Sequence, residues 1–126
     1  MIDHVSIAVS NLAASAQFYE GVLAPLGLRR FVERPVTIGF GKTYPEFWLN
    51  ARPNGTAQPA GTGIHICLRA PNAEAVRAFH RHALSAGGAC DGPPGDRQAA
   101  LTVYYAAFIR DLDGNKIEAV FFPKPL

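Results

Sequence analysis

Two stretches of this chain superimpose at one fixed offset, with a histidine at the same place in each: His4 opens HVSIAVSN and His65 opens HICLRAPN. The correspondence continues without a gap through Val5/Ile66, Ile7/Leu68, Asn11/Asn72, Phe18/Phe79, Leu23/Leu84 and Gly27/Gly88. A repeat at long period means one supersecondary unit built twice. The chain is therefore read as a tandem duplication in which equivalent positions, the two histidines included, can meet where the units join.

Each unit has the same local grammar. Ile2–Val9 alternates and is rich in β-branched residues, a strand signal. Asn11 stands as a helix N-cap, and Leu12, Ala16, Tyr19, Leu23 and Leu26 follow at spacings of four and three as one apolar helix face. Gly27 suits a left-handed helix end. Leu28–Glu33, Val36–Phe40 and Glu46–Ala51 read as three short strands, with breaks at Arg34-Pro35 and Lys42–Pro45. Arg52–Thr62, rich in Pro, Gly, Ala and Asn, reads as a linker. The pattern restarts with a strand at Gly63–Ala70 and a helix capped by Asn72, burying Val76, Phe79, Ala83 and Leu84 and ending at Gly87-Gly88. Cys90 starts a short strand, Gly92–Arg97 reads as a loop, and Ala99–Val103, Tyr104–Arg110 and Lys116–Phe122 as strands. A single bent strand over 98–110 is the alternative. Asp113-Gly114 marks a tight turn, and Pro123 and Pro125 close the chain. The expected organisation is one domain: module 1 at about 1–51, linker at about 52–62, module 2 at about 63–126.

Composition narrows the function classes. With 126 residues the chain is long enough for one core. A net charge of +2 without a Lys/Arg stripe argues against nucleic acid. No stretch is long and apolar enough for a membrane span. No signal peptide is apparent, so Cys67 and Cys90 read as reduced thiols and the expected location is the cytoplasm.

Strand parity selects candidate site residues. Val5, Ile7 and Val9 form one apolar face and leave His4, Ser6 and Ala8 on the other. Ile64, Ile66 and Leu68 oppose His65, Cys67 and Arg69, and Ile117, Ala119 and Phe121 oppose Lys116, Glu118 and Val120. His4, His65 and Glu118 are thus each expected on the face turned away from the helices. A lone strand histidine is ordinarily a hydrogen-bonded structural residue. Two at equivalent positions, with a carboxylate of matching parity, point to a metal site. His80 and His82 lie two apart on a helix and read as surface residues.

The opening IDHVSIAVSNLAASAQFYEGVLAPLGL, the restart GIHICLRAPNAEAVRAFH and the ending FIRDLDGNKIEAVFF resemble the vicinal oxygen chelate superfamily of glyoxalase I, bleomycin-resistance proteins and extradiol dioxygenases. The resemblance covers nearly the whole chain and implies an α+β fold of two tandem βαβββ modules whose curled mixed sheets form a cleft. Ligands there come from the first and last strands of each module, which by position implies His4, His65 and Glu118. The fourth position falls at Trp48, whose indole is no ordinary metal ligand; Glu46 could serve after a two-residue slip. Two His and one carboxylate suit a divalent ion, Fe, Mn, Ni or Zn. It would act as a Lewis acid on a small oxygen-bearing substrate in a lyase/isomerase or dioxygenase reaction. The alternatives are a metal-free, drug-binding protein of the bleomycin-resistance type and a ligandless scaffold. Trp48 is expected as a flat apolar wall for the ligand, Arg97 as an anion contact and Tyr105 as a further substrate-binding residue, although Tyr104 and Tyr105 have opposite parity and only one can face the cleft. Members of this length are commonly homodimers, sometimes with modules paired across chains.

Overall fold

Asn11 and Asn72 start the two helices around which the modules are built. In the computed structural model, which describes residues 1–55, 59, 61–98 and 101–124, the Asn11 side chain accepts from the Ala14 amide and that of Asn72 from the Ala75 amide, at 3.0 and 2.8 Å. Each cap satisfies an amide that the helix itself leaves without a partner. Helix α1 spans Leu12–Leu23 and runs into a 3₁₀ turn over Ala24–Leu26, which Gly27 ends at φ 84°. Helix α2 spans Ala73–Ser85.

Module 1 consists of β1 (Val5–Val9), α1, β2 (Arg29–Glu33), β3 (Thr37–Gly41) and β4 (Pro45–Ala51), its sheet ordered β1-β4-β3-β2. Module 2 consists of β5 (Ile66–Arg69), α2, β6 (Ala89–Gln98), β7 (Val103–Arg110) and β8 (Lys116–Phe121), ordered β5-β8-β7-β6. In each, the first strand pairs in parallel with the last and the other pairs are antiparallel. The fold is α+β with two βαβββ modules, as the repeat implies.

The apolar faces meet in one core that draws on both modules. Phe18, Tyr19, Val22 and Leu23 of α1, Phe47 and Leu49 of β4, Val76 and Phe79 of α2, and Ile109 and Ile117 are each at most 2% exposed. Burying such a side chain contributes roughly 1.5–3 kcal/mol. Leu84, expected in this core, is 44% exposed, because α2 turns only its Ala75, Val76, Phe79 and Ala83 face inward.

A polar joint crosses the core. Asp111, 6% exposed, accepts from the Tyr19 hydroxyl of α1 at 2.6 Å and from the Asn115 side chain at 3.0 Å. Its other oxygen accepts from the amides of Asp113 and Asn115, which shapes the turn between β7 and β8. Asn115 also donates to the Ala8 carbonyl of β1. One motif thereby folds its own turn and ties module 2 to module 1.

The elements differ from the sequence reading in three places. Gly92–Arg97, expected as a loop, lies inside the ten-residue β6, which bulges between Cys90 and Gly92 and between Gly92 and Gly95. Pro93 and Pro94 fit because β6 is an edge strand, where a missing amide leaves no ladder bond unmade. Secondly, the first strand of each module starts three residues late, β1 at Val5 rather than Ile2 and β5 at Ile66 rather than Gly63, which is left-handed at φ 82°. Both His4 and His65 therefore stand one residue ahead of their strands. Thirdly, β7 begins at Val103; of the strand expected over Ala99–Val103, residues 99 and 100 lie outside the described residues, as do 56–58 and 60 of the linker and Pro125. No helix among the described residues is long and apolar enough to cross a membrane.

Candidate functional site

The sheet faces turned away from the helices carry the candidate chemistry. In module 1, Phe47 and Leu49 are buried against α1, while Trp48 is half-buried on the opposite face. It pairs with Gly39 of β3 and Ser6 of β1, and a Cβ built on Gly39 would lie 3.0 Å from the indole. The missing side chain at Gly39 is what lets the ring lie flat on the sheet. Gly39→Val is expected to displace it, shifting the emission of the chain's one tryptophan and lowering the urea midpoint by the equivalent of about 1–3 kcal/mol.

In module 2, Cys67, Glu118 and Phe108 line up across β5, β8 and β7. The Glu118 side chain is 7% exposed, and His65 Nε2 lies 3.2 Å from its Oε1. The His65 ring also meets Phe108 edge-on, with centroids 5.6 Å apart. Cys67 is exposed as a residue, but the desolvation of its thiol on the sheet face, followed by the charge of Glu118 and a hydrogen bond to it, pushes the thiol up to about 12. At neutral pH Cys67 is a protonated thiol and a poor nucleophile, because the thiolate is the reactive form.

The tautomer of His65 follows from its second contact. Its Nδ1 lies 3.0 Å from the Gly63 carbonyl oxygen. A carbonyl only accepts, so Nδ1 carries a proton, and Nε2 is the ring atom that faces the buried Glu118 carboxylate. Two electron-rich atoms hold that position when a proton or a metal ion lies between them. His4 is committed in the same way: Nδ1 donates to Asp3 Oδ1 at 2.6 Å, leaving Nε2 free to ligate. The Tyr44 hydroxyl donates to the same Asp3 oxygen, and these two bonds, Tyr44 first, hold Asp3 below the usual carboxylate range. Histidine ligands typically donate their second nitrogen to a carboxylate or a backbone carbonyl, which orients the ring.

His4 and His65 line one cleft of about 440 Å³ together with Asp3 and Glu46. The three expected ligands do not converge, however. His65 and Glu118 meet, His4 stands apart, and among the described residues no three His, Cys, Asp or Glu are placed to hold one ion. Among the described residues, a complete metal donor set is not assembled.

The remaining candidates lie as follows. Arg97, on β6, folds back over its own bulge and donates to the Pro93 carbonyl at 2.6 Å. Tyr105 packs against the core on the α2 side, where Arg77 lies over its ring and donates to its hydroxyl. Parity then puts Tyr104 and Phe108 on the open face. His82 is exposed and His80 half-buried, with Nε2 enclosed and without a hydrogen-bond partner among the described residues. Sequence reasoning passed over Asp3, Tyr44 and Phe108. The adjacency of Asp3 to His4 was the one available signal, as Tyr44 and Phe108 reach the histidines through tertiary contacts.

The duplicated βαβββ modules agree with what comparison with known proteins finds. A model of the Glyoxalase/Bleomycin resistance protein/Dioxygenase superfamily matches residues 1–119. The chain belongs to that superfamily. Among solved structures, the chain is similar to a glyoxalase/bleomycin resistance protein from Albidiferax ferrireducens T118, at 32% identity and a TM-score of 0.86, over 97% of this chain and 99% of that one. Two further structures share the superfamily fold at 18% identity. One is a glyoxalase/bleomycin resistance protein/dioxygenase family enzyme from Burkholderia phytofirmans PsJN, with a TM-score of 0.71 over 94% of this chain and 96% of that one. The other is a glyoxylase/bleomycin resistance protein/dioxygenase domain from Frankia sp. EAN1pec, with a TM-score of 0.72 over 96% of each chain. No curated protein matches the chain.

Proposed function

We propose that this superfamily member binds a divalent metal ion, Fe, Mn, Ni or Zn, through His65, Glu118 and His4, and acts on a small oxygen-bearing substrate as a lyase/isomerase or dioxygenase. The observation that carries the reading is the His65–Glu118 pair: Nε2 lies 3.2 Å from a buried carboxylate oxygen, with the opposite ring nitrogen committed to Gly63. The two atoms are near enough to ligate one ion in place of the proton they would otherwise share. Because His4 stands off within one chain, we propose that it reaches a second copy's His65–Glu118 pair in a homodimer. Phe31, Val36 and Val103 are among the large apolar side chains left exposed, surface that a second copy would cover. The bound ion would polarise a substrate oxygen as a Lewis acid. Asp3 and the Gly63 carbonyl keep the two rings oriented, and Trp48 offers a flat wall for a planar ligand.

Metal analysis of protein purified without chelator tests the reading. We expect one ion per site and an affinity lowered at least about 100-fold in His65→Ala and Glu118→Ala. Mixing unfolded His4→Ala with His65→Ala and refolding them together should restore part of the metal content in mixed dimers. No bound ion in the parent protein, with stability unchanged by added Mn, Fe, Ni or Zn, would overturn it.

Trp48, standing where a fourth ligand is expected, favours a second reading: a metal-free protein that sequesters a planar small molecule, as the bleomycin-resistance type does. That reading expects ligand binding in excess chelator, and binding that survives His4→Ala and Glu118→Ala.

A further inference from the structure

The edge strands β1 and β5 border a second cleft, of about 420 Å³, which shares His65 with the first. Its walls divide by chemistry. Val5, Ile7, Ile64 and Ile66 contribute apolar surface, and Arg110 and Lys116 contribute two cationic groups. Among the described residues no Asp or Glu lines it. The neighbouring cleft has the opposite character, lined by Asp3, Glu46 and the two histidines.

The cations are held in place from behind. Asp91 Oδ2 takes both, at 2.9 Å from Arg110 Nε and 3.4 Å from Lys116 Nζ. Arg110 also donates to the Gly114 carbonyl at 3.0 Å, and the Lys116 ammonium sits 4.8 Å above the Phe108 ring. Their side chains are only 18% and 22% exposed. Asp91 is the one carboxylate in contact with these two cations among the described residues, so the charge facing the cleft is positive, on groups already oriented and partly desolvated. Such groups bind an anion with less reorganisation than mobile surface lysines do. Glu118, two residues from Lys116 on β8, is engaged with His65 and Cys67 and does not line this cleft.

We propose that this seam binds a small carboxylate with an apolar body, its charge held by Arg110 and Lys116 and its body by the facing aliphatic side chains of β1 and the β5 segment. The ligand would then lie beside His65, so a carboxylate is also the substrate class for the site proposed above. Only that last step rests on the metal reading; the binding itself does not.

The probes are benzoate, its neutral isostere benzamide, and acetate, titrated into the full chain that has been stripped of metal with EDTA and dialysed free of it, with amide chemical shifts followed by NMR. Benzoate is expected to shift resonances of Ile64, Ile66 and Lys116, and to bind about tenfold more tightly than benzamide or acetate. Raising salt from low to high should weaken it. Lys116→Met keeps the aliphatic stem and removes one charge, so it should lower benzoate affinity about tenfold. Arg110→Lys keeps the charge and should retain more binding than Arg110→Met. Equal binding of benzoate and benzamide, shifts confined to other surfaces, or a Lys116→Met protein that is folded by amide dispersion and binds benzoate normally would each overturn the proposal. Because the chain is metal-free throughout, absence of a metal leaves this result intact, and failure here leaves the metal analysis intact.

Discussion

Asp111→Ala should lower folding stability by about 3–5 kcal/mol, the range for stripping a buried, multiply hydrogen-bonded carboxylate from its partners. Four donors lose their acceptor at once: the Tyr19 hydroxyl, the Asn115 amide group and the backbone amides of Asp113 and Asn115. On a chain of this length that is a fall in Tm on the order of 10 °C, read by calorimetry or urea titration. Tyr19→Phe, which leaves the ring in the core and removes one donor, should cost about 1–2 kcal/mol. The pH dependence has a defined sign. Burial raises the Asp111 carboxyl above its ordinary value despite the bonds from Tyr19, Asn115 and Asp113. The folded state therefore holds this proton more tightly than the unfolded chain, so the group's contribution is full below the unfolded value and declines as pH rises through the folded one. Asp111→Asn has no such titration. Its cost should be larger near pH 4 than at pH 7, and urea midpoints at the two pH values measure the difference.

Gly41→Ala should be nearly as damaging, by about 3 kcal/mol or more, for a steric reason. A Cβ at Gly41 would lie 1.7 Å from the Tyr44 carbonyl oxygen, a backbone atom that no rotamer change can move aside. The register of β3 on β4 shifts between Phe40 and Gly41, and the chain turns back over itself there. The consequence reaches the site, because Tyr44 holds Asp3 and Asp3 holds His4. Besides a lower urea midpoint, the variant should lose the defined Nδ1-protonated tautomer of His4, visible in the ring ¹⁵N shifts. Gly61→Ala serves as the comparison: Gly61 is left-handed at φ 85° but has nothing within 4 Å of an added Cβ, so its cost is limited to about 1 kcal/mol of backbone strain.

The fold was legible because its signals are local. The Asn11 and Asn72 caps, the left-handed glycine after α1 and the period-two strands are each decided within a few residues. The repeat then required both modules to share one architecture. The β6 strand was misread for an equally local reason: Pro and Gly ordinarily mark loops, and only its place at the sheet edge makes Pro93 and Pro94 tolerable. Parity put His65 and Glu118 on one face but carries no distance, so their approach to 3.2 Å was beyond it. The same rule left Tyr104 and Tyr105 as alternatives, and the pairing of β7 with β8 settled them, placing Tyr105 on the side of Ile109 and α2.

The sequence by itself determined a duplicated α+β chain with a histidine at the same place in each unit, because helix caps, strand alternation and turn glycines act over a few bonds. The tertiary structure alone decided that Asp111 reaches Tyr19 across 92 residues, that His65 meets Glu118 while His4 turns to Asp3, and that two cations converge on Asp91. Those contacts depend on how the two sheets pack around the shared core. A side chain's partners across a core are chosen by packing, and no rule of spacing along the chain contains that choice.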